Sequence, residues 1–314
     1  MILLLAVLLQ QPPNPPVGFP GHAGDPGGIE ANKLYFQGKY SEALALYREG
    51  ETSKDRGGFC GTCRMQRAAK YRLAKAVCLE QLGRVDEAAS AYLRIGGGWV
   101  YARLADLYDA AGQRDDFKAL ADQLDERTLK SFKGDRTMLK YSPAVELRRV
   151  LEIRDLEKSE KWQELVNCLQ VDTAPREAAN RSADWSAMEA ARILARHPAE
   201  ATPLLLKQFE AGESGANGWI PYALGLCGRP EGIAALQART RTEGNIHVSL
   251  SLVFSLSQGG EPGKSALATL RESAKGNLKL ALDEWSCGKL GQSELDVKFP
   301  PAFKSVKLPT RLDP

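Results

Sequence analysis

Histidine is scarce: only His22, His197 and His247 occur in 314 residues. Histidine is the commonest general base and metal ligand near neutral pH, so hydrolytic and metal-dependent chemistry has few side chains to draw on. Carboxylate and lysine chemistry stays open. Charge of one sign is also missing. Lys and Arg total 42 against 39 Asp and Glu, a formal net charge of +3, and no basic stripe of the kind that binds nucleic acid appears. The densest basic stretch, Arg64, Arg67, Lys70, Arg72 and Lys75, is soon offset by Glu80, Asp86 and Glu87 and reads as a solvated helix face. Long apolar runs are absent too. The longest, Ile2–Leu9, is far too short to span a bilayer, so no integral membrane span is expected. No strand pattern of the βαβ kind is found either.

What is present begins with that run. Ile2–Leu9 has the length of a signal-peptide apolar core and is followed by Gln11–Gly28, rich in Pro and Gly. Proline fixes φ and glycine adds backbone entropy, so residues 1–28 read as a signal-like segment and linker. No Lys or Arg precedes the run and no A-x-A cleavage site follows it. The expectation is an extracytoplasmic location, periplasmic or secreted; the alternative is a frayed apolar tail on a cytoplasmic protein. The folded part is expected to begin near Ile29.

From there the apolar spacing is helical, and helices come in pairs around a glycine. Leu34, Tyr35 and Phe36 precede Gly38, and Ala43, Leu44, Leu46 and Tyr47 follow it. Leu73, Ala76, Val77 and Leu79 precede Gly83, and Ala88, Ala91, Tyr92 and Ile95 follow. Tyr101, Leu104, Ala105 and Tyr108 precede Gly112, and Phe117, Leu120, Ala121 and Leu124 follow. The second helices carry Ala-x3-aromatic as Ala43/Tyr47 and Ala88/Tyr92, size-swapped as Phe117/Ala121. Residues 29–126 resemble the tetratricopeptide (TPR) repeat, which puts Gly at the turn and Ala-x3-aromatic on the second helix. Gly38 and Gly83 lie 45 positions apart, and Gly83 and Gly112 lie 29 apart, against a family period of about 34. The first interval thus carries an insert, GETSKDRGGFCGTCR, and the second a deletion at Gly96–Gly98.

Residues 127–141 read as a connector. Helical spacing resumes over 142–291, where MEAARILARHPAEATPLLLKQF, IPYALGLCGRPEGIAALQART and LSLVFSLSQGGEPGKSALATL align, with a partial unit LALDEWSCGKLG after them. Each joins an apolar helix to a second one through a Pro or Gly break. These segments resemble short HEAT-like repeats, in which stacking of helix pairs makes the core that no single pair can bury. Together the two resemblances imply an all-α, right-handed α-solenoid of antiparallel helix pairs. In the tail, 292–314, Leu295, Val297 and Phe299 alternate, which predicts an extended course along the last helices as a cap.

Few motifs carry chemistry. Cys60 and Cys63 form a CxxC with no second CxxC to complete a zinc site, no His next to it for haem and no adjacent sheet for a thioredoxin-like motif. A disulfide, inert thiols, a metal held with ligands from elsewhere, and thiol redox activity all stay open. Cys78, Cys168, Cys227 and Cys287 lie on apolar helix faces and read as small core residues. Gly259–Ser265 echoes a phosphate-binding loop but has Gln258 where GxxxxGKS needs Gly, and it follows a predicted helix rather than a strand. No resident metal or cofactor and no catalytic set is predicted. His197 sits before Pro198 at a helix end, where a cation suits the dipole.

The TPR resemblance implies a groove lined by the first helix of each pair. Carried over by distance from each turn glycine, the groove residues are Asn32, Tyr35 and Phe36; Lys70, Leu73, Val77 and Glu80; and Trp99, Asp106 and Asp109. One TPR subgroup clamps a partner's C-terminal carboxylate with five Lys, Asn and Arg positions. Only Asn32 and Arg103 match, with Gly28, Ala74 and Trp99 at the others, so that mode is not expected. The resemblance implies a non-catalytic scaffold that binds a protein or a helical or extended peptide.

Overall fold

The computed structural model describes residues 26–52, 61–170, 185–211, 218–286 and 307–312. Every regular element among them is helical: fifteen α-helices and one 3-10 helix, with no strand. The expected all-α class is therefore observed. No helix among the described residues is long and apolar enough to cross a membrane.

The chain divides into two compact units, the first comprising residues 1–96, 103–127 and 292–314 and the second 97–102 and 128–291. In the first unit α1 (Pro26–Phe36), α2 (Tyr40–Thr52), α3 (Gly61–Gln81) and α4 (Val85–Ile95) pack each on the next in chain order. α5 (Gly98–Ala110) enters this unit from Arg103, and α6 (Arg114–Ser131) belongs to it through Arg127. Pro26, with no N–H to leave unpaired, opens α1 at its first position, three residues before the expected start. The last four residues of the inserted stretch, Gly61–Arg64, open α3, at 21 residues the longest of these helices.

The three turn glycines share one geometry. Gly38, Gly83 and Gly112 adopt φ of 75°, 74° and 71°, the left-handed region that a Cβ would strain. After each, the next N–H reaches five residues back, Lys39 to Leu34, Arg84 to Leu79 and Gln113 to Tyr108, at 2.9, 2.9 and 2.8 Å. This closes the preceding helix as a Schellman-type cap. The Ala and aromatic partners that follow, Ala43/Tyr47, Ala88/Tyr92 and Phe117/Ala121, are all buried. The small residue admits the neighbouring helix and the large one fills the space beside it.

In the second unit the connector is more regular than expected. α6 continues to Ser131, and a 3-10 helix spans Arg136–Tyr141. Asp135 caps that turn through Thr137, and Ser142 caps α7 (Pro143–Lys158) by accepting from the Ala144 N–H at 3.2 Å. Then follow α8 (Trp162–Asn167), α9 (Trp185–Arg196), α10 (Pro198–Ala211), α11 (Trp219–Cys227), α12 (Pro230–Thr242), α13 (Ile246–Ser257), α14 (Gly260–Ser273) and α15 (Gly276–Ser286). Odd-numbered helices touch in series, α7 on α9, α9 on α11, α11 on α13 and α13 on α15, while α8, α10, α12 and α14 form a second series.

Composition follows this layering. α11 buries Trp219 through Gly225 without interruption, and α13 buries eight residues, as helices flanked on several sides must. α12 and α14 bury only four positions each. Tyr222 stacks on Phe254 across α11 and α13 with ring centroids 5.8 Å apart. Gly225 permits that approach: a Cβ there would stand 2.0 Å from the Ser255 carbonyl oxygen. Arg154 and Glu189 form a buried ion pair between α7 and α9, and Arg154 also donates to the Ala102 carbonyl at 3.2 Å.

Leu295, Val297 and Phe299 lie outside the described residues. The described part of the tail, Lys307–Leu312, belongs to the first unit and is held by α5, the turn after it and α6.

Candidate functional site

Half of the groove residues implied by the TPR resemblance pack inside the first unit. Leu73, Val77 and Glu80 on α3 are buried, as are Asn32 and Tyr35 on α1. Asn32 accepts the Tyr47 hydroxyl at 2.7 Å, joining α1 to α2. Glu80, wholly enclosed at 0% exposure, accepts from the Tyr92 hydroxyl at 2.9 Å and from the Arg103 guanidinium, itself 7% exposed. These side chains present almost no surface to a ligand, because counting back from a turn glycine does not distinguish the face toward the next helix from the face toward solvent. Phe36, at 38% exposure, and Lys70 keep surface. Asp106 lies 3.6 Å from Arg103, and Asp109 accepts from Arg114 at 2.9 Å, so both take part in ion pairs. Trp99 lies on α5, but its side chain is outside those described.

The cysteine motif cannot be placed either. Cys60 and the Cys63 side chain lie outside the described residues. Cys78, Cys168 and Cys227 are free thiols, and burial raises all three, Cys78 to about 12 and Cys227 to about 11. A thiol held that high carries almost no thiolate at neutral pH and is a poor nucleophile. The phosphate-loop echo Gly259–Ser265 forms the turn before α14 and its first residues, and its Lys264 donates to Glu261 at 2.7 Å. His197 stacks against Trp162 and faces Glu157 at 3.2 Å. Among the described residues no group of His, Cys, Asp and Glu is arranged to hold a metal ion.

The geometry with most functional content lies on the α5–α6 side of the first unit. Gln113, at the head of α6, uses both ends of its amide on one residue of the tail. It accepts from the Leu308 N–H at 2.8 Å and donates to the Leu308 carbonyl at 3.5 Å. Gln123, ten positions on, accepts from the Leu312 N–H at 2.9 Å and donates to the Thr310 carbonyl at 3.0 Å. The Tyr108 hydroxyl donates to the Pro309 carbonyl. Five main-chain groups of Lys307–Leu312 are thus satisfied by three side chains.

The spacing requires an extended segment. Ten helical residues rise about 15 Å. The four steps from Leu308 to Leu312 cover about 13 Å when extended and only about 6 Å when helical. Pro309 helps, because the residue before a proline is driven out of the helical region. Proline also has no N–H, so nothing is left unpaired at that position. Asp116 accepts from the Gln113 amide at 2.9 Å and fixes its orientation. Burial, with Asp116 nearby, holds the Tyr108 phenol well above its ordinary value, so it stays a donor across the physiological range. Tyr108 is itself fixed by stacking on Phe117, centroids 5.0 Å apart.

Leu308 is the anchor, only 2% exposed. Beside it a cleft of about 590 Å³ is lined by Leu79 and Ala91, with a charged rim that includes Arg48, Lys75, Asp86 and Lys307. Lys75 and Leu79 come from α3 and the others from α2, α4 and the tail, and none of them is among the side chains the resemblance selected. Gln113 and Gln123 were not singled out from sequence. The only local sign was an amide directly after a turn glycine, and its partner lies 195 positions away.

Compared with family models, with curated proteins and with solved structures, the chain matches none.

Proposed function

We propose that this protein is a non-catalytic scaffold that binds another protein or peptide, built as a right-handed α-solenoid with TPR-like pairs in the first unit and HEAT-like pairs in the second. The two series of helices, odd on odd and even on even, support the solenoid reading, since repeat arrays gain their core by stacking like on like. The repeated glycine turn with its Ala and aromatic partners supports the TPR-like reading of the first unit. An extracytoplasmic location remains part of the proposal, on the apolar segment and Pro/Gly linker of residues 1–28.

One observation carries the binding role: side chains of α5, α6 and the turn between them hold a non-helical segment through its main chain. Main-chain hydrogen bonds give affinity for extended peptides and side-chain pockets give selectivity. Affinity capture with the full chain as bait, followed by titration calorimetry with each purified candidate, tests the role. A saturable partner at micromolar affinity or better is expected. Capture of no partner that binds when purified, or turnover of a substrate by the chain, contradicts it.

A further inference from the structure

We infer that the face formed by Tyr108, Gln113 and Gln123 is a binding site for extended peptides that carry Leu-Pro, and that Lys307–Leu312 is its exchangeable internal occupant. The inference rests on the scaffold reading and supplies its ligand class.

The hydrogen bonds are of a kind that recognises a backbone and not a particular chain. Each glutamine presents a donor and an acceptor at the spacing of peptide N–H and C=O groups, as a neighbouring strand would. Any extended peptide can meet them. The sequence requirement comes from two positions. Position 308 is enclosed beside Leu79 and Ala91 and takes a leucine-sized apolar side chain. Position 309 contributes its carbonyl to Tyr108 while no donor is called for, which suits proline and pre-extends the residue before it.

The occupant is held at few points. Leu308 is buried and Pro309 and Leu312 are partly buried, whereas Lys307, Thr310 and Arg311 stand in solvent. A segment fixed by one enclosed side chain and a handful of side-chain hydrogen bonds opens locally without unfolding the helices beneath it. Tethering gives it a high effective concentration, so an outside peptide competes at a disadvantage until the tether's anchor is weakened.

The test uses the full-length chain and a fluorescein-labelled peptide of sequence Val-Lys-Leu-Pro-Thr-Arg-Leu, read by fluorescence anisotropy. Leu308→Asp puts a charge in the enclosed position and frees the site. This variant is expected to bind the peptide at least about tenfold more tightly than the unaltered chain. Adding Gln123→Ala should reverse the gain. Equal affinity for both full-length forms, with helicity by circular dichroism unchanged, overturns the inference. A second arm needs no substitution: excess unlabelled peptide is added to the 15N-labelled native chain. Displacement moves the Leu308 and Leu312 amide resonances to random-coil positions, and resonances unmoved at saturating peptide overturn the inference. Failure of both arms makes the tail a fixed strap and leaves the scaffold reading standing, because that reading is tested separately, by affinity capture and by turnover.

Discussion

Glu80→Ala is expected to lower the unfolding free energy by about 3–5 kcal/mol. Glu80 is completely enclosed, and its two carboxylate oxygens serve two partners, Arg103 on α5 and Tyr92 on α4. Removing the carboxylate strips a buried guanidinium of a close counter-charge and leaves it Asp106 at 3.6 Å. It also takes the acceptor from the Tyr92 hydroxyl. The cost arises from stranding these groups, not from losing a strongly favourable bond. The double variant Glu80→Met with Arg103→Met should therefore recover only part of the loss, leaving about 1–3 kcal/mol for the Tyr92 hydroxyl that still lacks its acceptor. Urea denaturation followed by circular dichroism measures both. A single substitution that costs less than about 1 kcal/mol would mean Glu80 is not enclosed as described.

The second large effect belongs to the other unit. Gly225→Ala is expected to cost about 3 kcal/mol, the upper end for overpacking a close contact. The new Cβ would meet the Ser255 carbonyl oxygen at 2.0 Å and its carbon at 2.8 Å. Both are backbone atoms within a helix and have no rotamer through which to move aside. α11 and α13 must separate, which loosens the Tyr222–Phe254 stack as well. In an array whose members rely on neighbours, the loss should spread to α13–α15 before α7–α9. Residue-resolved hydrogen exchange distinguishes this from uniform destabilisation, which would argue against layer-by-layer stacking. Alanine at Gly232 is the control, since its Cβ would meet the end of the Leu224 side chain at 3.3 Å, with the Leu224 carbonyl at 3.7 Å and the Thr202 methyl at 3.8 Å in ordinary contact.

Why some features were legible in the sequence and others were not follows from how far each depends on distant residues. The pairing of helices was readable because a turn glycine, a cap and an Ala-x3-aromatic motif act over fewer than a dozen positions. Gly38, Gly83 and Gly112 needed no knowledge of the rest of the fold. The aligned segments over 188–270 were readable for the same reason, each containing its own break. Faces were harder. Leu73 and Val77 fit a groove pattern and a core pattern equally, and only the packing of α2 and α4 against α3 decides between them. Glu80 looked like a polar groove residue until Arg103, 23 positions on, proved to be its partner. The tail was the least legible. An alternating apolar run predicts extension but not the surface that receives it. Gln113 and Gln123 acquire meaning only when a segment nearly 200 positions later is laid along α6.

Amide hydrogen exchange at Leu308 and Leu312, read residue by residue, tests most directly whether the first unit grips an extended segment by its main chain. Both amides should exchange at least about tenfold more slowly than in the free peptide. Gln113→Ala should release Leu308 alone, and Gln123→Ala should release Leu312 alone. Free-peptide exchange rates at both positions in the native chain would contradict the account.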